Sequence, residues 1–96
     1  MIFMCFLNWT DQGAKGLKEG TKRFEATKGL VEKMGGRLLS GYVTTGQYDV
    51  ALTVDVPNGD VMAKLAIAVS AQGNARTTTV RAFTPDEFGK LIAQTL

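Results

Sequence analysis

Blocks of apolar residues, separated by glycines and polar breaks, set the pattern of this chain. The first block, residues 1–9, is an apolar run bounded by the polar sequence Thr10-Asp11-Gln12-Gly13, which is typical of a buried strand. Residues 11–19 then predict a short helical turn, in which Asp11 and Lys15 have the spacing of an i,i+4 ion pair. Gly20 interrupts this turn.

Two longer helices are predicted between the strands. Thr21 is expected to cap the first, which runs to about residue 34 and ends at Gly35-Gly36. Its apolar positions share one helical face: Phe24, Thr27, Leu30, Val31 and Met34. The second spans about residues 61–72, after the break Pro57-Asn58-Gly59-Asp60. Lys64 is its only charge, so the helix either meets another subunit or relies on alanines that tolerate exposure.

The remaining blocks predict three more strands and a last helix. Residues 37–44 and 48–56 are two strands joined by Gly46-Gln47, and residues 75–83 are a strand rich in β-branched side chains. Thr84-Pro85-Asp86-Glu87 supplies an N-cap, a proline at N1 and a glutamate at N3 for the C-terminal helix. The order βαββαβ predicts one α+β domain over residues 1–96. Its fold is ferredoxin-like, with a four-stranded antiparallel sheet in the order 4-1-3-2.

A two-residue turn at Gly46-Gln47 fixes a register for the central hairpin. Opposed residues point to the same face of a sheet, so one face is apolar and the other is mixed. The apolar pairs are Val43 with Val50, Gly41 with Leu52, and Leu39 with Val54. The mixed pairs are Thr44 with Asp49, Tyr42 with Ala51, Ser40 with Thr53, and Leu38 with Asp55. Tyr48 shares the parity of Val50 and is expected in the core, whereas the first strand is apolar on both faces and leaves the face of Trp9 open.

The helix-free face predicts an assembly. With Tyr42, Ala51, Thr53 and Thr79 it is too apolar to remain in water. Pairing of two such faces would give a dimeric α/β barrel with a semi-polar lumen, so the expected partner is a second copy of the chain, in a homodimer or a larger homo-oligomer.

The antiparallel strand directions gather polar residues at one rim of the sheet. These residues form the candidate ligand site: Asn8, Trp9, Tyr42, Thr44, Asp49, Arg76 and Thr77. Asp49 is the candidate catalytic residue, as a general base or as an acceptor for a ligand. The alternative is that it satisfies backbone donors at the hairpin or pairs with Arg76. Tyr42 either contacts a ligand or packs in the dimer.

Composition excludes several classes of function. A net charge of +2 is too small for a nucleic-acid footprint. The absence of histidine removes haem ligation by imidazole, catalytic triads and His-based metal sites, and no metal or other cofactor is expected. Cys5 is alone, so it forms no internal disulfide and is expected to be a buried thiol. The apolar start is too short for a signal or a membrane span, so a cytoplasmic protein with no membrane partner is expected.

Three segments carry a family resemblance. The sequences Asn8-Trp9-Thr10-Asp11-Gln12-Gly13, Gly46-Gln47-Tyr48-Asp49 and Gly73-Asn74-Ala75-Arg76-Thr77-Thr78-Thr79 resemble the GYD domain family, named for its Gly-x-Tyr-Asp element. The resemblance implies a ferredoxin-like fold and kinship with dimeric α/β barrels, among which are cofactor-free monooxygenases, isomerases and haem enzymes. It implies no particular activity.

Two functions follow from the sequence. The first is a small-molecule-binding barrel dimer, which includes a cofactor-free enzyme that transfers a proton near Asp49. The alternative is a non-catalytic interaction or assembly module, in which the mixed sheet face and the apolar second helix serve oligomer contacts.

Overall fold

The computed structural model describes all 96 residues as four strands and four helices. The strands are β1 (Ile2–Trp9), β2 (Arg37–Val43), β3 (Val50–Asp55) and β4 (Ala75–Ala82). The helices are α1 (Asp11–Lys15), α2 (Gly20–Lys33), α3 (Gly59–Ala71) and α4 (Pro85–Thr95), and a 3-10 turn (Leu17–Glu19) joins α1 to α2. The sheet is antiparallel, with the strand order β2-β3-β1-β4. This arrangement confirms the ferredoxin-like α+β fold and the predicted strand order.

Strand β1 divides its side chains between the two faces of the sheet. Cys5 and Leu7 are buried in the core, and Phe3 and Trp9 pack against it. Because side chains alternate along a strand, the residues between them point to the helix-free side, called here the open face. Trp9, whose face of the sheet the sequence leaves open, therefore lies on the helix side.

The helix layer consists of α2 and α3. Val31 of α2 and Leu65 of α3 are almost completely buried against Val54 of β3. The predicted apolar face of α2 is confirmed, since its five positions are all buried or half-buried. The predicted cap at Thr21 is wrong: Gly20 already has helical dihedrals, with φ −55° and ψ −44°, so Thr21 lies inside the helix. Asn58 caps α3 by accepting a hydrogen bond from the Val61 amide at 2.9 Å.

The hairpin register is correct over most of its length and wrong at one end. The pairs Val43 with Val50, Tyr42 with Ala51, Gly41 with Leu52 and Ser40 with Thr53 are observed. A bulge at Leu39 then shifts the ladder, so Leu38 pairs with Val54 and packs against the core. Leu39 is left exposed. The extra residue of a bulge reverses the alternation beyond it, which regular pairing could not anticipate.

The connection between β2 and β3 is longer than the predicted two-residue turn. The last ladder pair is Val43 with Val50, and residues 44–49 form a loop. The Thr44 amide donates to the Asp49 carbonyl at 2.8 Å, and the Thr44 hydroxyl donates to the Tyr48 carbonyl at 2.7 Å. Four residues thus separate Thr44 from Asp49, and Gly46 takes the positive φ of 107° that this tight loop requires.

Helix α4 is anchored at its first turn. Thr84 and Glu87 form the predicted capping box, and the Thr84 backbone N–H lowers the pKa of the Glu87 carboxyl. Arg81 lies 3.7 Å from the Glu87 carboxylate and covers the Phe83 ring. No residue of α4 is buried, and its apolar side chains Phe88, Leu91 and Ile92 are exposed on one side of the helix.

The open face carries a mixture of apolar and polar side chains. Met4, Tyr42 and Val80 are exposed large apolar groups on it. Thr79, which was predicted on this face, instead pairs with Cys5 and points to the helix side. No helix has the length and hydrophobicity to cross a membrane.

Candidate functional site

The loop of residues 44–49 is fastened to the end of β1 by three hydrogen bonds. The Asn8 side-chain amide donates to the Gln47 carbonyl at 2.8 Å, and the Asp49 amide donates to the Leu7 carbonyl at 2.9 Å. In the third bond the donor again belongs to β1: the Trp9 amide donates to the Asp49 carboxylate, with N and Oδ2 2.9 Å apart. The side chain of Asp49 therefore continues the pairing of β3 with β1 past the last ladder residue.

Tyr48 lies on the open face, which corrects its prediction as a core residue. Its ring stacks on Phe6, with centroids 4.7 Å apart and an angle of 27° between the planes. Phe6 lies between the buried Cys5 and Leu7 and therefore points away from the helices. The irregular loop breaks the strand alternation before Val50, so Tyr48 does not share the face of Val50.

The segment after α3 docks on the other side of the β1 end. The Thr10 hydroxyl donates to the Gly73 carbonyl at 2.6 Å, and the Thr10 amide donates to the Asn74 carbonyl at 3.1 Å. The Gln12 side-chain amide reaches the Gln72 carbonyl and the Asn74 side-chain oxygen, at 3.0 and 2.9 Å. Gly13 permits this contact, because a Cβ there would lie 1.9 Å from the Asn74 carbonyl oxygen. The three motif segments of the sequence thus meet around Trp9 and Thr10.

A cleft of about 410 Å³ opens beside this junction, between α2 and the helix side of the sheet. Its floor consists of sheet residues: Leu7, Trp9, Val43, Val50, Leu52 and Ala75. Its other walls come from the α1–α2 connection, α2, and the end of α3 with the residues that follow: Leu17, Gly20, Thr21, Arg23, Phe24, Thr27, Val69, Gln72 and Asn74. Most of this lining is apolar.

The ring of Phe24 can approach the sheet closely because Gly41, the residue below it, has no side chain. A Cβ at Gly41 would lie 2.3 Å from Phe24 Cε1, so the ring lies directly over this glycine. Phe24 and Trp9 then supply the two aromatic side chains of the cleft lining.

Arg23 is the only charged residue of the cleft lining. Its guanidinium donates to the Gly13 carbonyl at 3.0 Å and to the Gly16 carbonyl at 2.9 Å, which fixes the side chain against the turn before α2. No carboxylate lies within ion-pair distance of it: the ion pairs of the chain are Met1–Asp55, Lys22–Glu19 and Arg81–Glu87. The cleft therefore has an uncompensated positive charge in one wall.

A smaller cavity of about 30 Å³ lies deeper between the helices and the sheet, and it shares Leu7, Thr27, Leu52 and Val69 with the cleft. Cys5 and Thr77 line it. Burial raises the pKa of the Cys5 thiol, so the group stays protonated at neutral pH and is a poor nucleophile.

The candidate residues from the sequence are divided between two faces and a loop. Trp9 lines the cleft and Thr77 lines the smaller cavity, both on the helix side. Tyr42 and Arg76 are exposed, and their register positions place them, like Asn8, on the open face. Thr44 and Asp49 are held in the loop by backbone hydrogen bonds. Within one chain these side chains do not surround a common space.

Comparison with protein-family models gives a match over residues 3–92 to the model described as GYD domain. The chain belongs to the GYD domain family. No curated protein and no solved structure gave a significant match. The Gly-x-Tyr-Asp element of this GYD domain is the loop that fastens β3 to the end of β1. Its tyrosine contributes to the open face, and its aspartate holds the backbone of a residue that lines the cleft.

Sequence reasoning missed most of the cleft. Of its lining residues only Trp9 is among the candidates from the sequence, and Phe24 and Thr27 are predicted only as part of the apolar face of α2. The residue pattern identifies which side chains face the sheet, but the space left between them depends on how closely α2 approaches it. Gly41, a glycine within a strand facing an aromatic helix residue, is the one sequence signal of a close approach at this position.

Proposed function

We propose that this GYD domain is a homodimeric small-molecule-binding protein whose ligand occupies the helix-side cleft. The single observation that supports this most strongly is the volume and lining of the cleft. A cavity of about 410 Å³ falls within the range of about 300–1,000 Å³ that is usual for ligand pockets. Apolar walls with a few polar groups are also typical of such pockets.

The motif segments support this site because they build its rim. Asp49 fixes the backbone at Trp9, and the Thr10–Gly73 bond holds the end of α3 against β1. Gln72, Asn74 and Ala75 in the cleft lining belong to that same junction. A function for the cleft therefore explains why three distant segments converge on one end of β1.

Binding of an apolar fluorescent probe tests the site. N-phenyl-1-naphthylamine should bind the native protein, and Thr27→Phe should weaken binding at least about tenfold, because the new ring fills the space that Thr27 borders. Lys28→Phe is the control, since Lys28 is the next residue of α2, is exposed and lies outside the cleft. Equal affinity of both variants and the native protein would exclude the cleft as the probe site.

The homodimer is the second part of the proposal, with the open face as its interface. Met4, Tyr42 and Val80 are exposed there, and Phe6 with Tyr48 forms a half-buried aromatic pair beside them. Pairing two such faces removes this apolar surface from water and would form the dimeric α/β barrel. The exposed apolar side of α4 offers a further surface for contact between the two chains.

The contacts of Asp49 do not favour a catalytic role. Its carboxylate accepts the Trp9 N–H and is absent from the cleft lining, which favours a positioning role. The alternative function is an interaction or assembly module, favoured by the exposed apolar side chains of the open face and α4. An oligomer that forms normally while no probe enters the cleft would favour this module over the binding protein.

A further inference from the structure

The charge in the wall of the cleft limits the kind of ligand that fits. Arg23 is the one ionised side chain among the lining residues, and no acidic residue neutralises it. The rest of the lining offers apolar surface and uncharged polar groups. A ligand with no anionic group would displace water from the guanidinium without replacing it by an anionic partner, and this desolvation costs binding free energy.

The guanidinium of Arg23 is held in place by two backbone carbonyls. The carbonyls of Gly13 and Gly16 take two hydrogen bonds from it, one from each terminal nitrogen. An arginine has five N–H donors, so donors remain for an anionic oxygen. A side chain fixed in this way loses little conformational freedom when it binds an anion.

We infer that the cleft binds an apolar molecule carrying one carboxylate, with the carboxylate on Arg23 and the apolar body between Trp9 and Phe24. This inference rests on the proposed function of the cleft. The deeper walls are uncharged, and the smaller cavity beyond them is lined by side chains such as Leu7 and Leu52, so the apolar part points inward. Arg23 lies beside Leu17, Gly20 and Thr21 in the wall formed by the α1–α2 connection and the start of α2.

A matched pair of probes tests the inference on the native protein. Naphthalene-2-carboxylate and naphthalene-2-carboxamide share one ring system and differ in charge. Trp9 is the only tryptophan, so its indole N–H gives one identifiable signal in a nitrogen–proton correlation spectrum. The carboxylate should shift this signal with an affinity about tenfold higher than the amide, as expected for one charge-assisted hydrogen-bonded contact. The preference should shrink as salt is added.

Variants of Arg23 and Arg76 show which arginine causes the preference for the carboxylate. Arg23→Gln should bring the two affinities close together, whereas Arg76→Gln should leave the preference intact, because Arg76 is exposed on the open face. Arg23→Lys keeps a positive charge and should retain part of the preference. The native comparison decides the question even if an Arg23 variant does not fold.

The outcomes separate the inference from the proposed function. If both probes shift the Trp9 signal with equal affinity, the cleft binds ligands and the carboxylate inference is wrong. A preference lost in Arg76→Gln and kept in Arg23→Gln would also overturn it, by moving the anion site to the open face. If neither probe shifts the Trp9 signal at millimolar concentration, the proposed function fails and the inference fails with it.

Discussion

The carboxylate of Asp49 and the backbone N–H of Trp9 are joined by a hydrogen bond of 2.9 Å. This bond extends the β1–β3 pairing past Leu7 and Val50, the last ladder pair at this end, to a residue that precedes β3. It also joins residues that serve opposite faces of the sheet. Asp49 directly follows Tyr48, whose ring lies on the open face, and Trp9 lines the cleft on the helix side. The aspartate of the Gly-x-Tyr-Asp element therefore holds the backbone of Trp9.

Removing this carboxylate should destabilise the protein more than neutralising it. Asp49→Ala deletes the acceptor and is expected to lower the free energy of unfolding by about 1–2 kcal/mol, since the bond is charge-assisted and half-buried. Asp49→Asn keeps an oxygen at the same place and should cost less than about 1 kcal/mol. Urea unfolding followed by Trp9 fluorescence measures both. Equal losses for the two variants would show that the charge, and not the acceptor, is what matters.

The contact between α1 and the segment after α3 depends on the size of residue 13. Gly13→Ala should destabilise the fold by about 2 kcal/mol or more, because the added methyl group meets the Asn74 carbonyl oxygen in backbone that cannot easily move. Gly29→Ala is the matched control: its Cβ meets nothing within 4 Å in the middle of α2, so a gain of about 0.5–1 kcal/mol is expected. Thermal unfolding that ranks Gly29→Ala below Gly13→Ala in stability would contradict this packing.

Cys5 should make the protein less stable in alkaline solution. Burial raises the pKa of its thiol, so the folded chain keeps the proton to a higher pH than the unfolded chain does. The stability that the protonated thiol contributes is fully present below the pKa of the thiol in the unfolded chain, about 8.5. It is lost as the pH rises through the pKa of the thiol in the folded chain. Cys5→Ala lacks this titration. Its free energy of unfolding should therefore fall less steeply than that of the native protein between about pH 8 and 10. Parallel curves in urea unfolding would rule this contribution out.

The oligomeric state should respond to charge on the open face and not on the outside of α3. Val80→Glu places a carboxylate among the exposed apolar side chains of the sheet, next to Met4, and should convert a dimer to monomers. Ile67→Glu is the comparison, because Ile67 is 68% exposed on α3. Light scattering coupled to size-exclusion chromatography distinguishes the two. Dissociation by Ile67→Glu alone would assign the interface to the apolar helix.

Most of the fold can be predicted from the sequence, because it depends on the periodicity of apolar residues and on the glycines, prolines and polar residues that end each helix and strand. The apolar runs, the helix face of α2 and the capping box at Thr84 each reflect local chemistry and are found where the pattern places them. The predicted faces are wrong where an irregular residue or loop interrupts the alternation of side chains along a strand. The bulge at Leu39 and the long loop before Val50 each shift the alternation, and the loop moves Tyr48 to the opposite face.

The site was harder to predict than the fold, for a physical reason. Convergence at one rim follows from strand direction, and Trp9, Asp49 and the segment after Gly73 do meet there. Which residues border an open space depends on helix-to-sheet distances. Those distances result from contacts such as Phe24 over Gly41, which involve residues far apart in the chain.

The position of a bound apolar ligand relative to the sheet distinguishes the cleft from the open face. Nuclear Overhauser contacts between N-phenyl-1-naphthylamine and the native protein can be assigned to one side of the sheet or the other. Contacts to Trp9, Phe24 and Leu52 are expected, because these residues line the cleft. Contacts confined to Phe6, Tyr42 and Ala51 would place the ligand on the open face and exclude the cleft as its binding site.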